Sequence, residues 1–116
     1  MKLMIEVSVG DFIDRLSILE IKKGHGLDVS DELAQYANFV NQFDPIGFDH
    51  YKSLFLSINS RLWLLEDQKR KFTDRGTEEY ANVAELITQL NDLRFAIKKK
   101  SDAYFKSPLS EKKSHS

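Results

Sequence analysis

The stretch Ser57–Lys98, SINSRLWLLEDQKRKFTDRGTEEYANVAELITQLNDLRFAIK, decides the fold of this chain. Apolar residues recur in it at alternating steps of four and three, the period of a helix that buries one face. The two apolar seams, which extend slightly beyond the stretch, are Tyr51, Phe55, Ile58, Leu62, Leu65 and Phe72, and then Tyr80, Val83, Ile87, Leu90, Ile97 and Tyr104. The short polar segment Thr73–Thr77 between them predicts two long antiparallel helices. Gly76 is expected as a left-handed C-cap and Thr77 as the next N-cap.

Polar residues lie on or beside each seam at spacings that place them on one helix face. They are Asn59, Trp63, Glu66 and Arg70 on the first long helix, and Asn91, Arg94 and Lys98 on the second. A hairpin that turns near Arg75 brings Asn59 level with Asn91. We therefore expect a candidate polar cluster between the two helices.

Arg94 occupies a seam position, where a guanidinium needs a carboxylate partner because an unpaired buried charge costs several kcal/mol. One interpretation is structural: Arg94 reaches solvent or meets an acid, for which Asp14 and Glu20 are the preferred partners. A second is that Arg94 holds an anionic ligand in a bidentate fork. A third is that it lies at an oligomer interface.

The first helix is predicted from its cap at Ser8 to about Lys23, ahead of Gly24 and Gly26. Its apolar residues cover most of the circumference, which is typical of a helix that lies centrally or at an interface. Its few charged residues are therefore candidates for the polar cluster, and those selected are Asp14, Arg15, Glu20 and Lys22.

The remaining segments complete the predicted fold, an all-α bundle of about four helices. Lys2–Val7 is expected to be a short extended arm. A second helix is predicted from a cap at Asp28 or Ser30 to about Phe43, and Asp49 is a candidate cap for the third helix. The prediction is one helical domain over residues 1–106 and a disordered polar tail over 107–116.

Composition excludes several classes of protein. The chain has 116 residues with 41% hydrophobic and 30% charged residues, a net charge of −1 and no cysteine. Thiolate chemistry is therefore excluded, and no global field attracts nucleic acid. The apolar start is too short for a signal peptide, and no run approaches the roughly 20 residues of a membrane span. A cytoplasmic location, no membrane association, no cofactor and no metal site are the expectations.

The segment Val7–Lys22, VSVGDFIDRLSILEIK, resembles a family of short bacterial and phage proteins classed as a domain of unknown function. Two later segments share the resemblance, namely Asn59, Trp63, Glu66, Asp67 and Arg70, and then Asn91, Asp92, Leu93, Arg94 and Lys98. The resemblance covers nearly the whole chain before the tail. It implies a compact α-helical protein and supplies no activity, substrate or catalytic residue.

Three functions remain open. The preferred hypothesis is a non-enzymatic helical interaction module that self-associates, with a dimer favoured and a protein partner as a further option. The first alternative is a protein or enzyme that binds a small carboxylate or phosphate through the charged cluster. The second alternative is weak nucleic-acid binding through the Lys-rich C-terminal end, which no recognised motif supports.

Overall fold

Four α-helices and no β-strand make up the part of the chain that this computed structural model describes, residues 1–107. They are α1 (Val9–Gly24), α2 (Ser30–Val40), α3 (Pro45–Lys71) and α4 (Glu78–Tyr104). Residues 1–8 form an arm without regular secondary structure ahead of α1. The prediction of an all-α bundle is confirmed.

α3 and α4 pack against each other as an antiparallel pair, and α1 packs against both of these helices. α2 packs against α1 alone, on the outside of this three-helix core. The core side chains come from α1, α3 and α4, and they are Phe12, Ile13, Leu16, Phe48, Phe55, Ile58, Leu62, Leu65, Ile87 and Ile97. Of the two positions expected for the apolar first helix, central or at an interface, the contacts of α1 with all three other helices show the central one.

The turn between α3 and α4 differs from the prediction at its glycine. Gly76 is not left-handed, since positive φ angles within residues 1–107 are confined to Gly26 and Lys106. Instead the Gly76 N–H donates to Asp74 Oδ1 at 2.9 Å, so the carboxylate side chain makes the turn without a left-handed residue. Thr77 caps α4 as predicted, and its hydroxyl accepts a bond from the Tyr80 N–H at 3.2 Å.

Two other helix boundaries also differ. Asp49 does not cap α3; Asp44 does, by accepting bonds from the N–H groups of Ile46 and Gly47, with Pro45 in the first turn. Proline suits that position because its missing N–H would have no helical partner there. α2 ends at Val40 rather than near Phe43.

The N-terminus of α1 is held by the C-terminal turn of α4. Ser8 accepts a bond from the Asp11 N–H at 3.0 Å, as expected of an N-cap. The Gly10 N–H donates to Asp102 Oδ1 at 2.6 Å, and the Val9 N–H donates to the Ser107 hydroxyl at 3.2 Å. Ser107, the first residue of the predicted tail, is thus part of the packing, and the rest of that tail, 108–116, lies outside the described residues.

Candidate functional site

The carboxylate of Asp14 is the centre of a polar network between α1, α3 and α4. Its side chain is fully buried. Arg94 Nε donates to both carboxylate oxygens at 3.0 Å, and Arg94 Nη2 donates to Oδ2 at 2.8 Å. The contact between Arg94 and one of its two predicted acidic partners is therefore present. This bidentate contact fixes the orientation of the guanidinium plane and also balances the guanidinium charge.

Two further side chains complete the surroundings of Asp14. Asn59 Nδ2 donates to Asp14 Oδ1 at 2.7 Å and to the Ser17 hydroxyl oxygen at 2.8 Å. Ser17 in turn donates to the Asp14 backbone carbonyl at 2.6 Å. Every buried polar atom in this group has a partner, which is the condition under which a buried polar network is stable.

Lys98 adds a second cation to the network. Its Nζ lies 3.3 Å from Asp14 Oδ2 and 3.5 Å from Asp11 Oδ1, and its side chain is only 11% exposed. Asp11 also forms an ion pair with Arg15, whose Nε lies 2.7 Å from Asp11 Oδ2. Without the half-exposed Arg15, the four residues Asp11, Asp14, Arg94 and Lys98 comprise two negative and two positive charges, so the charges of this group balance.

A cleft of about 310 Å³ opens beside this network. It is formed by α1, α3 and α4, and its lining residues are Ile18, Ile21, Asn59, Leu62, Trp63, Glu66, Arg70, Asn91 and Arg94. Six of these residues belong to the predicted polar cluster, and Asn59 and Asn91, which the hairpin register predicted to be level, both line the cleft. The volume is at the small end of the range for ligand sites.

Arg94 links the network to the cleft. Its side chain is 27% exposed, whereas that of Asp14 is 0% exposed. The bonds to Asp14 use Nε and Nη2, and no acceptor for Nη1 is found among the described residues. Asn91, one turn earlier on α4, is exposed, and its amide has no hydrogen-bond partner within residues 1–107. The cleft therefore presents oriented donors at one end.

Trp63 forms the middle of the cleft wall. Its ring stacks on the imidazole of His25, with ring centroids 4.4 Å apart and an interplanar angle of 12°. His25 follows the last residue of α1 and is exposed, with its ring against the indole. This stacking limits the rotamers of Trp63 and so preforms the apolar part of the wall.

The end of the cleft away from Arg94 contains an acidic residue, Glu66, and a basic one, Arg70. Glu66 lines it and forms no ion pair within the described part of the chain. Arg70 also lines the cleft, but its Nη2 pairs with Asp67 at 3.3 Å, and Lys71 Nζ lies 2.9 Å from the same carboxylate. Hydrogen bonding to Lys71, together with the charges of Lys71 and Arg70, lowers the pKa of Asp67.

Three predicted residues lie away from this site. Glu20 is not the partner of Arg94, because it pairs with Lys52 at 2.7 Å on another face of α1. Arg15 is half exposed and pairs with Asp11 one turn earlier on its own helix. Lys22 lines a separate cavity between α1 and α2. Each is on α1, whose rotation about its axis relative to α3 and α4 was not predictable from its own apolar pattern.

Three polar residues in these networks were not selected from the sequence. Ser17 lies one helical turn after Asp14, a spacing that could have revealed it. Asp11 was considered only as part of a cap. Asp102, which is 4% exposed, follows Arg94 and Lys98 at steps of four on the same face of α4, and its Oδ2 has no hydrogen-bond partner in the part of the chain that the structure describes.

A second cavity, of about 420 Å³, lies between the N-terminal arm, α1 and α2. Aromatic side chains of Phe12, Tyr36, Phe39 and Phe43 form its floor. The arm residues Met4 and Ile5 line it yet are 95% and 78% exposed. This groove is apolar and contains no charged lining residue among those described.

The described residues include no group of three or more acidic or histidine side chains arranged to hold a metal ion. None of the four helices within residues 1–107 has an apolar stretch of the length needed to cross a bilayer. Comparison of the chain with protein-family models, curated proteins and solved structures finds no match. The resemblance to a family of unknown function therefore stays a prediction.

Proposed function

We propose that this protein is a helical binding module whose cleft between α1, α3 and α4 takes a small oxyanion, a carboxylate or phosphate group. The observation that carries the proposal is the Arg94 guanidinium, which is held in a bidentate fork by a buried acid and lines an open cleft. A guanidinium oriented in this way keeps donors for a second acceptor at little further entropic cost.

The local charge supports an anion rather than a cation at this end of the cleft. Of the Asp14–Arg94 pair, the cation is the member that reaches the cleft, since the Arg94 side chain is 27% exposed and lines it, whereas that of Asp14 is 0% exposed. An oxyanion beside Arg94 would pair with this partly exposed cation, and the Asn91 amide could donate a further bond to it. Charge-assisted bonds of this kind are roughly twice as strong as bonds between neutral groups.

The lining residues favour binding over catalysis. Among the described residues that line the cleft, the charged groups are Glu66, Arg70 and Arg94, and there is no hydroxyl, imidazole or lysine amine. A nucleophile with an adjacent general base is therefore not part of this wall. We accordingly propose a binding role for the site.

The substitution Asn91→Asp tests the proposal without touching the buried network. Asn91 is exposed, so the fold should tolerate aspartate, but a carboxylate at this position would repel an oxyanion beside Arg94. We expect wild-type protein to bind hexanoate or inorganic phosphate, followed by Trp63 fluorescence and calorimetry. Asn91→Asp should weaken this binding by about tenfold or more.

Asn82→Asp is the matched control, because it makes the same change on an exposed position of α4. Asn82 lies nine residues before Asn91, which is half a revolution away on the helix. It should bind both probes as the wild type does. Absence of binding of both probes to wild-type protein, or equal binding by Asn91→Asp, would contradict an oxyanion site at Arg94.

A second candidate function is self-association, the hypothesis preferred from the sequence, and we propose the N-terminal arm as the surface that mediates it. Met1, Leu3, Met4 and Ile5 are between 78% and 113% exposed, and they adjoin the aromatic groove on α1 and α2. Contiguous apolar surface of this kind is typical of a contact between proteins. The same surface on a second copy is complementary to it in composition, so a two-fold dimer is the proposed assembly.

Nucleic-acid binding stays a prediction with less support. Lys98, the first residue of the Lys98–Lys100 run, contacts Asp14 and Asp11 rather than projecting fully into solvent. Of the lysines that follow it, Lys112 and Lys113 lie outside the described residues. A cytoplasmic location likewise stays a prediction.

A further inference from the structure

We infer that the ligand of the cleft is a zwitterion whose charges are several ångströms apart, with its carboxylate at Arg94 and its ammonium group at Glu66. This inference rests on the proposed oxyanion site and adds the second half of the ligand. It follows from the carboxylate at the far end of the cleft, from its distance along α3, and from the apolar wall between the two ends.

Glu66 is the residue whose carboxylate favours a cationic group of the ligand. It lines the cleft, is partly buried, and has no ion pair among the described residues. The spacing of four residues would allow Glu66 to pair with Arg70, but Arg70 pairs with Asp67. A partly desolvated carboxylate without a counter-charge is unfavourable, and an ammonium group beside it would relieve that cost.

The positions of the two ends set the separation of the ligand charges. Asn59 and Arg94 both bind Asp14, so the Arg94 end of the cleft lies at the level of Asn59 on α3. Glu66 follows Asn59 by seven residues, which is a rise of about 10 Å along the helix. The long side chains of Arg94 and Glu66 shorten this distance. A ligand with its carboxylate and amine on the same carbon would still not reach both Arg94 and Glu66.

The wall between the ends is apolar. Trp63 lies four residues after Asn59 and three before Glu66, and Ile18 and Leu62 line the same segment. A short chain of methylene groups would gain roughly 0.8 kcal/mol for each group buried there. The cleft volume of about 310 Å³ equals the bulk volume of about ten water molecules, so a ligand on the order of ten non-hydrogen atoms fits.

A set of probes with one carbon skeleton tests the inference. ε-Aminocaproate has both charges at opposite ends, hexanoate lacks the amine, and hexylamine lacks the carboxylate. Norleucine is an isomer of ε-aminocaproate with both charged groups on one carbon. We expect ε-aminocaproate to bind full-length wild-type protein about tenfold or more tightly than the other three, by calorimetry and Trp63 fluorescence.

The Glu66→Gln variant assigns the ammonium site. It should bind hexanoate as the wild type does but lose the preference for ε-aminocaproate. Glu85→Gln, an exposed glutamate on the opposite side of α4 from Arg94, is the matched control and should retain the preference.

The outcomes separate this inference from the proposed function. Equal binding of hexanoate and ε-aminocaproate would overturn the zwitterion and leave the oxyanion site standing. Equal binding of norleucine and ε-aminocaproate would overturn the charge separation. Binding of no probe by wild-type protein would remove both the inference and the oxyanion site on which it rests.

Discussion

Asp14 is the residue on which both the fold and the candidate site depend. Its fully buried carboxylate is bound by side chains from both long helices, Asn59 on α3 and Arg94 and Lys98 on α4. The same contacts that join three helices also orient the guanidinium that lines the cleft. A ligand that binds Arg94 would therefore be coupled to the stability of the core.

Replacing Asp14 with alanine should be among the most destabilising single changes in the chain. It leaves Arg94 and Lys98 without their buried counter-charge, for which the expected cost is about 3–5 kcal/mol. The free energy of unfolding, from urea titration followed by circular dichroism, measures this cost. Asp67→Ala, which removes an exposed pair on α3, should have little effect by comparison.

The double variant Asp14→Leu with Arg94→Met separates the charge from the packing. Well-packed apolar residues often replace a buried ion pair without loss of stability, so much of the stability should return. Oxyanion binding should not return, because the guanidinium is absent. An Asp14→Ala protein as stable as the wild type would contradict the central role of this carboxylate.

At the scale of the helices, α1 and α4 approach so closely that one position requires glycine. A Cβ on Gly10 would lie 2.5 Å from the Lys98 carbonyl oxygen and 2.6 Å from the Ser101 hydroxyl. The carbonyl belongs to the backbone of α4 and cannot rotate away. We expect Gly10→Ala to destabilise the protein by about 1–3 kcal/mol, since the helices must separate.

Gly24→Ala is the control for this prediction. Gly24 is the last residue of α1, and a Cβ there would meet nothing within 4 Å. Alanine should be neutral or stabilising by up to about 1 kcal/mol, because it restricts the unfolded chain and favours the helix. Similar urea midpoints for Gly10→Ala and Gly24→Ala would show that the close approach has no energetic consequence.

The start of α3 is joined to the end of α4 by a hydrogen bond from the Tyr104 hydroxyl to Asp44 Oδ2. This bond, with a further one from the Gly47 N–H, holds the pKa of Asp44 below its ordinary value of 3.8. The same bond raises the pKa of Tyr104 above its ordinary value of 10.0, because the acceptor is a carboxylate.

The signs of these shifts predict how stability varies with pH. Ionised Asp44 stabilises the fold above pH 3.8, and this contribution is lost as the pH falls through the lower pKa of the folded state. Neutral Tyr104 stabilises the fold below pH 10.0, and this contribution is lost as the pH rises through the higher folded value. Tyr104→Phe should flatten both limbs of a plot of urea midpoint against pH, and an unchanged plot would contradict the bond.

At the scale of the whole molecule, the exposed arm predicts a weak dimer. Burying Leu3, Met4 and Ile5 on each of two copies would contribute roughly 9–18 kcal/mol. Lost rigid-body freedom costs about 4–15 kcal/mol, and ordering the side chains costs more. We therefore expect self-association with a Kd in the micromolar range or weaker.

Sedimentation velocity between about 5 and 500 µM measures this association. Ile5→Asp on the arm should be monomeric at concentrations where the wild type is dimeric. Leu64→Asp, at an exposed leucine on α3 outside the groove, should dimerise like the wild type. A wild-type monomer throughout the range, or a loss of dimer in Leu64→Asp, would contradict a dimer formed by the arm.

Much of the candidate site was predictable because its residues follow helical spacing on α3 and α4. Asn59, Trp63, Glu66, Arg70, Asn91 and Arg94 were selected on that basis, and all six line one cleft. The α1 residues were less predictable, because Asp14 was one of two acids considered for Arg94 and the other, Glu20, pairs with Lys52. A helix that is apolar on most of its surface does not reveal which of its polar faces meets the partner helices.

The amino-acid order alone determined the helices, the hairpin and the polar faces of α3 and α4, because periodicity and capping are local properties of the chain. Tertiary packing decided which acid meets Arg94, that Lys98 is drawn into the interior, and that Glu66 has no ion pair with any residue of 1–107. Those outcomes depend on how α1 rotates and how closely it approaches α4 at Gly10. Contacts between residues 80 or more positions apart carry no local signature, so only the assembled helices define the cleft.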